Sequence, residues 1–581
     1  MSKRAGYARS HCELPDRSFR GYARGVNVAL TLLSAVLLPL ALPNEWFDLG
    51  VSGVGLIALV PAFVALWRTD RPRRAAGLGA LFGAVSTAIA NYWLAFFGDF
   101  SIWTIGGTVL AYTVFNYALF AVLHTAIHRP ASADFIHDVW RPARIALLWT
   151  AYEFVKSVGF LGYPWGLVAY PVAEIGYLDQ LVELTGTWGL SFLGALANAV
   201  AADWVIRNGY RTTLPGTTEQ PGAQQLSVRL RKVFTAPTRI AYGWIATSAA
   251  LFLVLGLLGR SLVARIEPTG SYHVAVVQQN VDSWFPGRFS DALDTAQILT
   301  DRAMAQAQEI GVEPVAVLWS ETVLRRPYFG PDEFYETEPV REPFVDFVRR
   351  TGVPLVTGAA MPANTLGDGH NSAILIDPDA RLVTTYAKQQ LVPFAEAIPL
   401  WRLAPVRIFF REVIGLYGTW LPGSSSTVFS IPAPGAPIIA GAPICFEDSF
   451  AWVTRQLAAN GAEVMLNLTN NSWSRQRSAQ LQHFVAARLR TIELRMPLVR
   501  GTNSGVTAVI DARGVTTASL PMFESATAVF EVPRYPRYRT LYLRAGDWFG
   551  WGALFGIAAW LVTLTYRERK ESARRQAGIR L

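Results

Sequence analysis

Three residues of unlike chemistry stand where a catalyst would need them. Glu321 closes the run Leu318-Trp319-Ser320-Glu321, Lys388 follows Tyr386-Ala387, and Cys445 ends the run Gly441-Ala442-Pro443-Ile444-Cys445. Each marks the point where an apolar strand gives way to a turn. Active sites of α/β sheets gather beyond the carboxyl ends of strands, where loops bring distant residues together. A thiol, a carboxylate and an ammonium delivered there supply a nucleophile, a proton acceptor and a stabiliser of negative charge. Singly, each has an ordinary reading: a cysteine after a strand is commonly a small buried hydrophobe, a glutamate caps a turn, and a lysine is a solvated charge. The combination is what argues for chemistry. Two further carboxylates, Glu396 and Glu447, follow Lys388 and Cys445 closely.

The elements that must position these groups are legible in outline. Short β-branched runs at 272–278, 315–319, 355–357, 372–376, 438–440, 464–468 and 507–510 predict strands. Segments 293–310, 343–351, 449–459 and 476–495 predict amphipathic helices between them. Together they give an α/β domain over 266–545, large enough for one core. The rest is of another kind. Apolar stretches near 26–43, 51–67, 76–97, 101–124, 143–160, 178–206 and 240–262, with a last one at 548–566, read as eight transmembrane helices.

Composition agrees. The 581 residues are 51% hydrophobic and 16% charged, against about 25% charged in ordinary soluble chains. Mean hydropathy is +0.25. These values exclude a disordered tail protein and argue against a wholly soluble enzyme. The net charge of +9 is explained by topology rather than by nucleic acid. Basic residues cluster in the leader 1–25 (Lys3, Arg4, Arg9), after the second span (Arg68, Arg71, Arg73, Arg74), around Arg141 and Arg144, at Arg229 and Arg231, and in the tail 567–581. The positive-inside rule puts them all in the cytoplasm, with both termini inside and 266–545 outside. The two cysteines, Cys12 and Cys445, lie too far apart in character and place for a disulfide scaffold or a Cys-based zinc site. His124 and His128 stand at i,i+4 without a third ligand, so no metal and no cofactor is expected.

The ordered set of motifs resembles the carbon–nitrogen hydrolase (nitrilase) superfamily, and within it the apolipoprotein N-acyltransferase family. The matching residues are Trp319-Ser320-Glu321-Thr322, Lys388 with Val392-Pro393-Phe394-Ala395-Glu396, Ile444-Cys445-Phe446-Glu447, Asn467 to Trp473, and Arg490 to Gly505. In the apolar part they are Glu153, Gly162-Tyr163-Pro164-Trp165 and Gly186-Thr187-Trp188-Gly189-Leu190. Phe446 replaces a more usual Tyr, and Ala395 stands where Gly often precedes Glu396.

The resemblance implies an extracytoplasmic nitrilase-like αββα sandwich on a polytopic helical membrane domain. It implies Cys445 as nucleophile, Glu321 as proton acceptor and Lys388 as oxyanion stabiliser, with Glu396, Glu447, Phe446, Asn470 and Asn471 in support. The acyl donor would be a phospholipid and the acceptor a diacylglyceryl-apolipoprotein, in a bacterial inner membrane, with no nucleic-acid partner. The aromatic stretch from Trp401 through Phe409 and Phe410 to Trp420 is too aromatic for an ordinary exposed loop, and reads either as an arm touching the membrane or as core of the domain. Trp284, Phe285, Tyr328 and Phe329 are candidates for the same cover, and Trp165 for substrate contact. Glu153 either faces a cavity beneath the outer domain or caps its helix. Two other readings stay open: a membrane-tethered amidohydrolase with water as acceptor, and a non-catalytic lipid-binding membrane protein.

Overall fold

The computed structural model describes residues 17–96, 101–128, 139–209, 236–281, 289–364, 368–414 and 418–576. Cys12, Trp284 and Phe285 lie outside these residues.

Twelve strands form two sheets among the described residues. They are Gly270–Gln278 (β1), Pro314–Leu318 (β2), Leu355–Pro362 (β3), Gly369–Ile376 (β4), Leu382–Ala387 (β5), Val428–Ile431 (β6), Ile438–Gly441 (β7), Val464–Thr469 (β8), Leu498–Thr502 (β9), Ala508–Ile510 (β10), Thr516–Ser519 (β11) and Ala526–Arg534 (β12). One sheet runs β12-β1-β2-β3-β4-β5 and the other β11-β10-β9-β8-β7-β6. In each, three central strands are parallel (β1, β2, β3 and β7, β8, β9) and the flanking strands antiparallel. β5 runs in the direction of β2, so the residues leaving β2, β5 and β7 emerge at corresponding strand ends.

Strand alternation builds the layers. In β1, Val274 and Val276 join a core with Leu318, Val356, Val464 and Leu466, between the two sheets. Ala275 and Val277 point the other way, into a second core with Leu293, Leu299, Phe344 and Phe347. Those four come from the helices Phe289–Glu309 and Phe344–Thr351, which cover the first sheet. Ala451–Ala459 and Arg477–Leu494 cover the second. The arrangement is an αββα sandwich.

Five helical stretches are long and apolar enough to cross a membrane: Arg24–Ala41, Ser101–His128, Thr187–Asn208, Arg239–Ala264 and Trp548–Arg567. Leu253, Val254 and Leu257 on the fourth are each more than half exposed, an apolar surface that suits lipid rather than water. The other three expected spans are less regular. The stretch 51–67 becomes two short helices, Ser52–Gly55 and Val60–Trp67, while 76–97 and 143–160 become Pro72–Ala90 and Arg141–Ser157. The expected start at 178 is also corrected. Gly186, at φ +64°, ends a short helical stretch, and the long helix begins at Thr187. A Cβ at Gly186 would sit 2.7 Å from the Tyr542 ring.

The bundle has two chemically distinct ends. At one, Arg68 donates to Asn27, His124 and His128 give their Nε2–H to the Thr69 and Leu66 carbonyls, and Arg141 and Arg207 share Asp203. The histidines are thus spent on the carbonyl end of Val60–Trp67. The other end meets the sandwich, chiefly through Arg477–Leu494. The predicted polar face of that helix turns toward the bundle instead of toward water. Gln482 donates to the Pro43 and Ala90 carbonyls at 3.0 and 3.1 Å, Arg490 to Thr187 at 2.8 Å, and Arg495 to Gln180 at 2.7 Å.

Candidate active site

Glu321, Lys388 and Cys445 come together at the strand ends. Glu321 leaves β2 in a turn pressed against β3, where Gly358 makes room: a Cβ there would lie 2.1 Å from the Thr322 nitrogen. Lys388 follows β5. Its ammonium donates to Glu396 at 2.8 Å and to Glu321 at 3.3 Å, and is almost wholly buried. Asn371, at the start of β4, bridges the same two carboxylates at 2.8 Å (Glu321) and 3.0 Å (Glu396). The second Glu321 oxygen accepts the Asn470 backbone N–H at 2.8 Å, and that of Glu396 the Val392 N–H at 2.8 Å.

Cys445 opens a 3-10 turn in a left-handed conformation, φ +51°, and Thr322 beside Glu321 has φ +53°. Such backbone is costly for a side chain with a Cβ, of order 1–3 kcal/mol, and persists where surroundings enforce it. Glu447 is the enforcing group. Its carboxylate accepts the Ile444 N–H at 2.8 Å on the cysteine side, and the Gln389 and Gln390 N–H groups at 2.6 and 3.0 Å on the lysine side. Tyr386 donates to it as well. One buried carboxylate therefore ties the Cys445 turn to the Lys388 turn.

The electrostatics follow from burial and neighbours. Burial, then the Glu321 charge, push the Cys445 thiol well above its ordinary range, with Lys388 opposing. Burial works against the Lys388 charge, but Glu321 and Glu396 outweigh it and hold the ammonium firmly protonated. Burial pushes Glu447 up to about 7. The arrangement therefore holds a protonated thiol, facing a carboxylate and a fixed cation.

Behind the turn lies a second cluster. Asp448 takes His483 Nε2 at 2.6 Å and Arg500 Nε at 2.9 Å, which together overcome burial and hold its carboxyl low. Asn471 contacts the other His483 nitrogen at 3.3 Å. Phe446 is sandwiched between Phe450 and Trp165, the latter stacked at 5.3 Å and 14°. Trp165 in turn stacks on Tyr163 at 4.9 Å, so an aromatic column runs from the helical bundle to the residue after Cys445.

The expected arm is a short helix, Ala404–Phe409, and a following turn. Leu400, Leu403, Ile408 and Phe409 are exposed. Phe409 contacts Trp103, Phe410 stacks on Phe394, and Arg411 lies over Trp401. Trp420 is half-buried in the base of the arm, its backbone N–H on the Glu396 carbonyl at 2.8 Å. Tyr328 does not belong to the cover. It is fully buried, with its hydroxyl on the Ala380 carbonyl, because the ring completes the core under Phe344. Phe329 is exposed. Glu153 does not cap its helix. It accepts from Trp149, Val168 and Ser191, joining three segments beside a cavity.

Comparison with known proteins decides the family. Residues 34–200 match the model of the apolipoprotein N-acyltransferase N-terminal domain, and residues 273–537 that of carbon-nitrogen hydrolase. Apolipoprotein N-acyltransferase 2 of Treponema pallidum (strain Nichols) is 35% identical, over 89% of this chain and 91% of that protein. The chain belongs to the apolipoprotein N-acyltransferase family. It is an acyltransferase built on a carbon-nitrogen hydrolase domain. The apolipoprotein N-acyltransferase 2 of Treponema denticola is 34% identical over 89% of this chain and 94% of its own. That of Borreliella burgdorferi is 29% identical over 90% and 92%.

Sequence reasoning missed Asn371, Tyr386 as a hydrogen-bond donor, and the Asp448–His483–Arg500 cluster. Asn371 had a faint signal, a polar amide opening the apolar strand Ser372–Ile376 beside Gly369. Asp448 sits among apolar residues in Glu447-Asp448-Ser449-Phe450, but nothing local names His483 as its partner.

Proposed function

We propose that this acyltransferase moves a fatty acyl chain from a membrane phospholipid to the α-amino group of the N-terminal S-diacylglyceryl-cysteine of an apolipoprotein, through a thioester on Cys445. The observation that carries the reading is the buried Lys388, held between Glu321 and Glu396. In the first half-reaction Glu321 takes the thiol proton as Cys445 Sγ attacks the ester carbonyl. The resulting oxyanion is stabilised by Lys388 and a backbone N–H of the turn. Collapse breaks the C–O bond, and Glu321 returns the proton to the leaving lysophospholipid. In the second, the free amine attacks the thioester and Glu321 takes its proton; the C–S bond breaks as the amide forms, and Glu321 passes that proton to the departing sulfur. The order is ping-pong. Glu396 positions Lys388, Glu447 holds the two turns together, and the arm with its exposed apolar residues keeps water from the thioester.

The same reading has eight crossings, both termini in the cytoplasm and the sandwich on the periplasmic side of the inner membrane. Support comes from the position of the basic residues. Arg68, Arg141 and Arg207 lie at the bundle end away from the sandwich, where the positive-inside rule puts cytoplasm.

Intact mass of the purified enzyme after incubation with phosphatidylethanolamine, and then with a diacylated lipopeptide, tests the proposal. A fatty-acyl increment absent from Cys445→Ala, and passed on to a triacylated peptide, is the expected result. Loss of the increment to water at the same rate without peptide would make the enzyme a hydrolase.

A further inference from the structure

Beneath Trp165, between the ends of Arg17–Ala41, Pro72–Ala90 and Arg141–Ser157 and the Ser101–His128 helix, lies a small cleft of ≈ 40 Å³. Apolar residues such as Leu38, Leu42 and Phe82 line it together with Asn91, Asn116, Tyr152, Glu153, Lys156 and Trp165. Two buried polar atoms there lack a hydrogen-bond partner among the described residues, Asn116 Oδ1 and Trp165 Nε1. Asn116 is 3% and Trp165 5% exposed, so bulk water does not satisfy them. An unpaired buried polar group costs about 1–3 kcal/mol, which calls for an occupant.

The donors set the chemistry of that occupant. Lys156 gives one N–H to the Trp165 carbonyl at 2.8 Å, and its ammonium otherwise lies 5.3 and 5.8 Å from the Tyr112 and Tyr152 ring centres. Tyr152 Oη accepts from Asn116 at 3.0 Å, leaving its own hydrogen to donate. Glu153, the nearest carboxylate, is already engaged by Trp149 Nε1, the Val168 N–H and Ser191 Oγ. It forms no ion pair with Lys156 among the described residues. Lys156, Tyr152 and the Trp165 indole thus offer several hydrogens around one cation, facing the unpartnered Asn116 oxygen and a Glu153 already engaged by three donors. A group rich in acceptor oxygens and carrying negative charge matches this set. Position narrows it. The Trp165 ring stacks on Phe446, the residue after Cys445, and in a glycerophospholipid a few bonds separate the phosphodiester from the acyl esters.

We infer that this cleft is a phosphodiester-binding subsite, in which Lys156 and the Trp165 indole hold the phosphate of the glycerophospholipid while its acyl ester reaches Cys445. The assignment rests on the proposed use of a phospholipid donor. Lys156 here is a binding and positioning residue for the donor, with no part in bond making.

The test follows acyl-Cys445 formation by intact mass in full-length enzyme in phospholipid-free detergent. One donor is phosphatidylglycerol or phosphatidylethanolamine. The other is p-nitrophenyl palmitate, an activated ester without a phosphodiester. Lys156→Met should lower the phospholipid rate relative to the p-nitrophenyl palmitate rate at least ten-fold, and Lys156→Arg should recover most of that ratio. An unchanged ratio, or equal losses with both donors, overturns the subsite. Inorganic phosphate should not compete at millimolar concentration. Competition that disappears in Lys156→Met would assign the cleft to free phosphate and overturn the lipid. A wild type acylated by p-nitrophenyl palmitate but by no phospholipid would remove the donor reading instead. In that case phospholipid retained by Cys445→Ala in native mass spectrometry, and lost from the Cys445→Ala, Lys156→Met pair, still supports the cleft, and equal retention overturns it.

Discussion

The Glu447 carboxylate accepts the backbone N–H of Gln389 at 2.6 Å, one residue past the lysine, while standing two residues past the cysteine. Cys445 and Lys388 belong to different sheets, so without this link their spacing would depend on the packing of the sandwich alone. A carboxylate with four N–H and O–H donors around it can be buried, and the residual penalty shows as its raised pKa.

That penalty makes stability depend on pH. Burial raises both Glu447 and Glu493 from 4.5 to about 7. For a group whose folded pKa is raised, the stabilising contribution is full below the unfolded value and is lost as pH climbs through the folded one. Each carboxyl contributes about 3 kcal/mol across that window. The denaturant midpoint should therefore fall between pH 5 and pH 8, and Glu447→Gln should flatten the slope. A midpoint that rises with pH, or an equal slope in the variant, contradicts this.

Glu321→Gln should move two readouts in opposite directions. Removing the proposed proton acceptor should slow acyl-enzyme formation by about 10²–10⁴-fold. Removing its charge also takes away the largest electrostatic cause of the raised Cys445 thiol, so the thiol pKa falls. Alkylation of Cys445 by iodoacetamide at pH 8 should then be faster than in wild type. Parallel loss of both reactions would mean that the turn itself had collapsed.

Glu396→Gln removes the shorter of the two ion pairs to Lys388, at 2.8 Å, and one of the acceptors of Asn371. Lys388 should remain bound to Glu321 but lose its fixed aim. The expected effect is a fall in kcat of about ten-fold or more with little change in KM, because the misplaced charge matters only when the oxyanion forms. A change confined to KM would place Glu396 in lipid binding instead.

Trp401→Ser and Phe410→Ser test the arm. Phe410 stacks on Phe394 at 6.4 Å, and Trp401 carries Arg411 at 5.8 Å. Both substitutions should raise the apparent KM for phospholipid while the unfolding midpoint holds, since these side chains lie outside the sandwich cores. Unchanged kinetics would reduce the arm to packing.

Much of this was readable from the chain itself. Charge placement and apolar length separated a helical bundle from an α/β part, because lipid and water impose opposite compositions. The runs ending at Glu321 and Cys445 marked strand exits, because a strand that must be buried on both faces cannot hide its polar terminus. Other features belong to the tertiary structure alone. β9, Leu498–Thr502, carries Arg500 in its middle and resembles no buried strand until Asp448 is placed against it at 2.9 Å. Asn371 gains its meaning only when β4 lies beside the Glu321 turn. The polar face of Arg477–Leu494 gives no sign that its solvent is the bundle. Local pattern reports what each segment avoids or seeks in water, whereas a hydrogen bond between residues far apart in sequence exists only once the fold has removed that water and left one partner in reach.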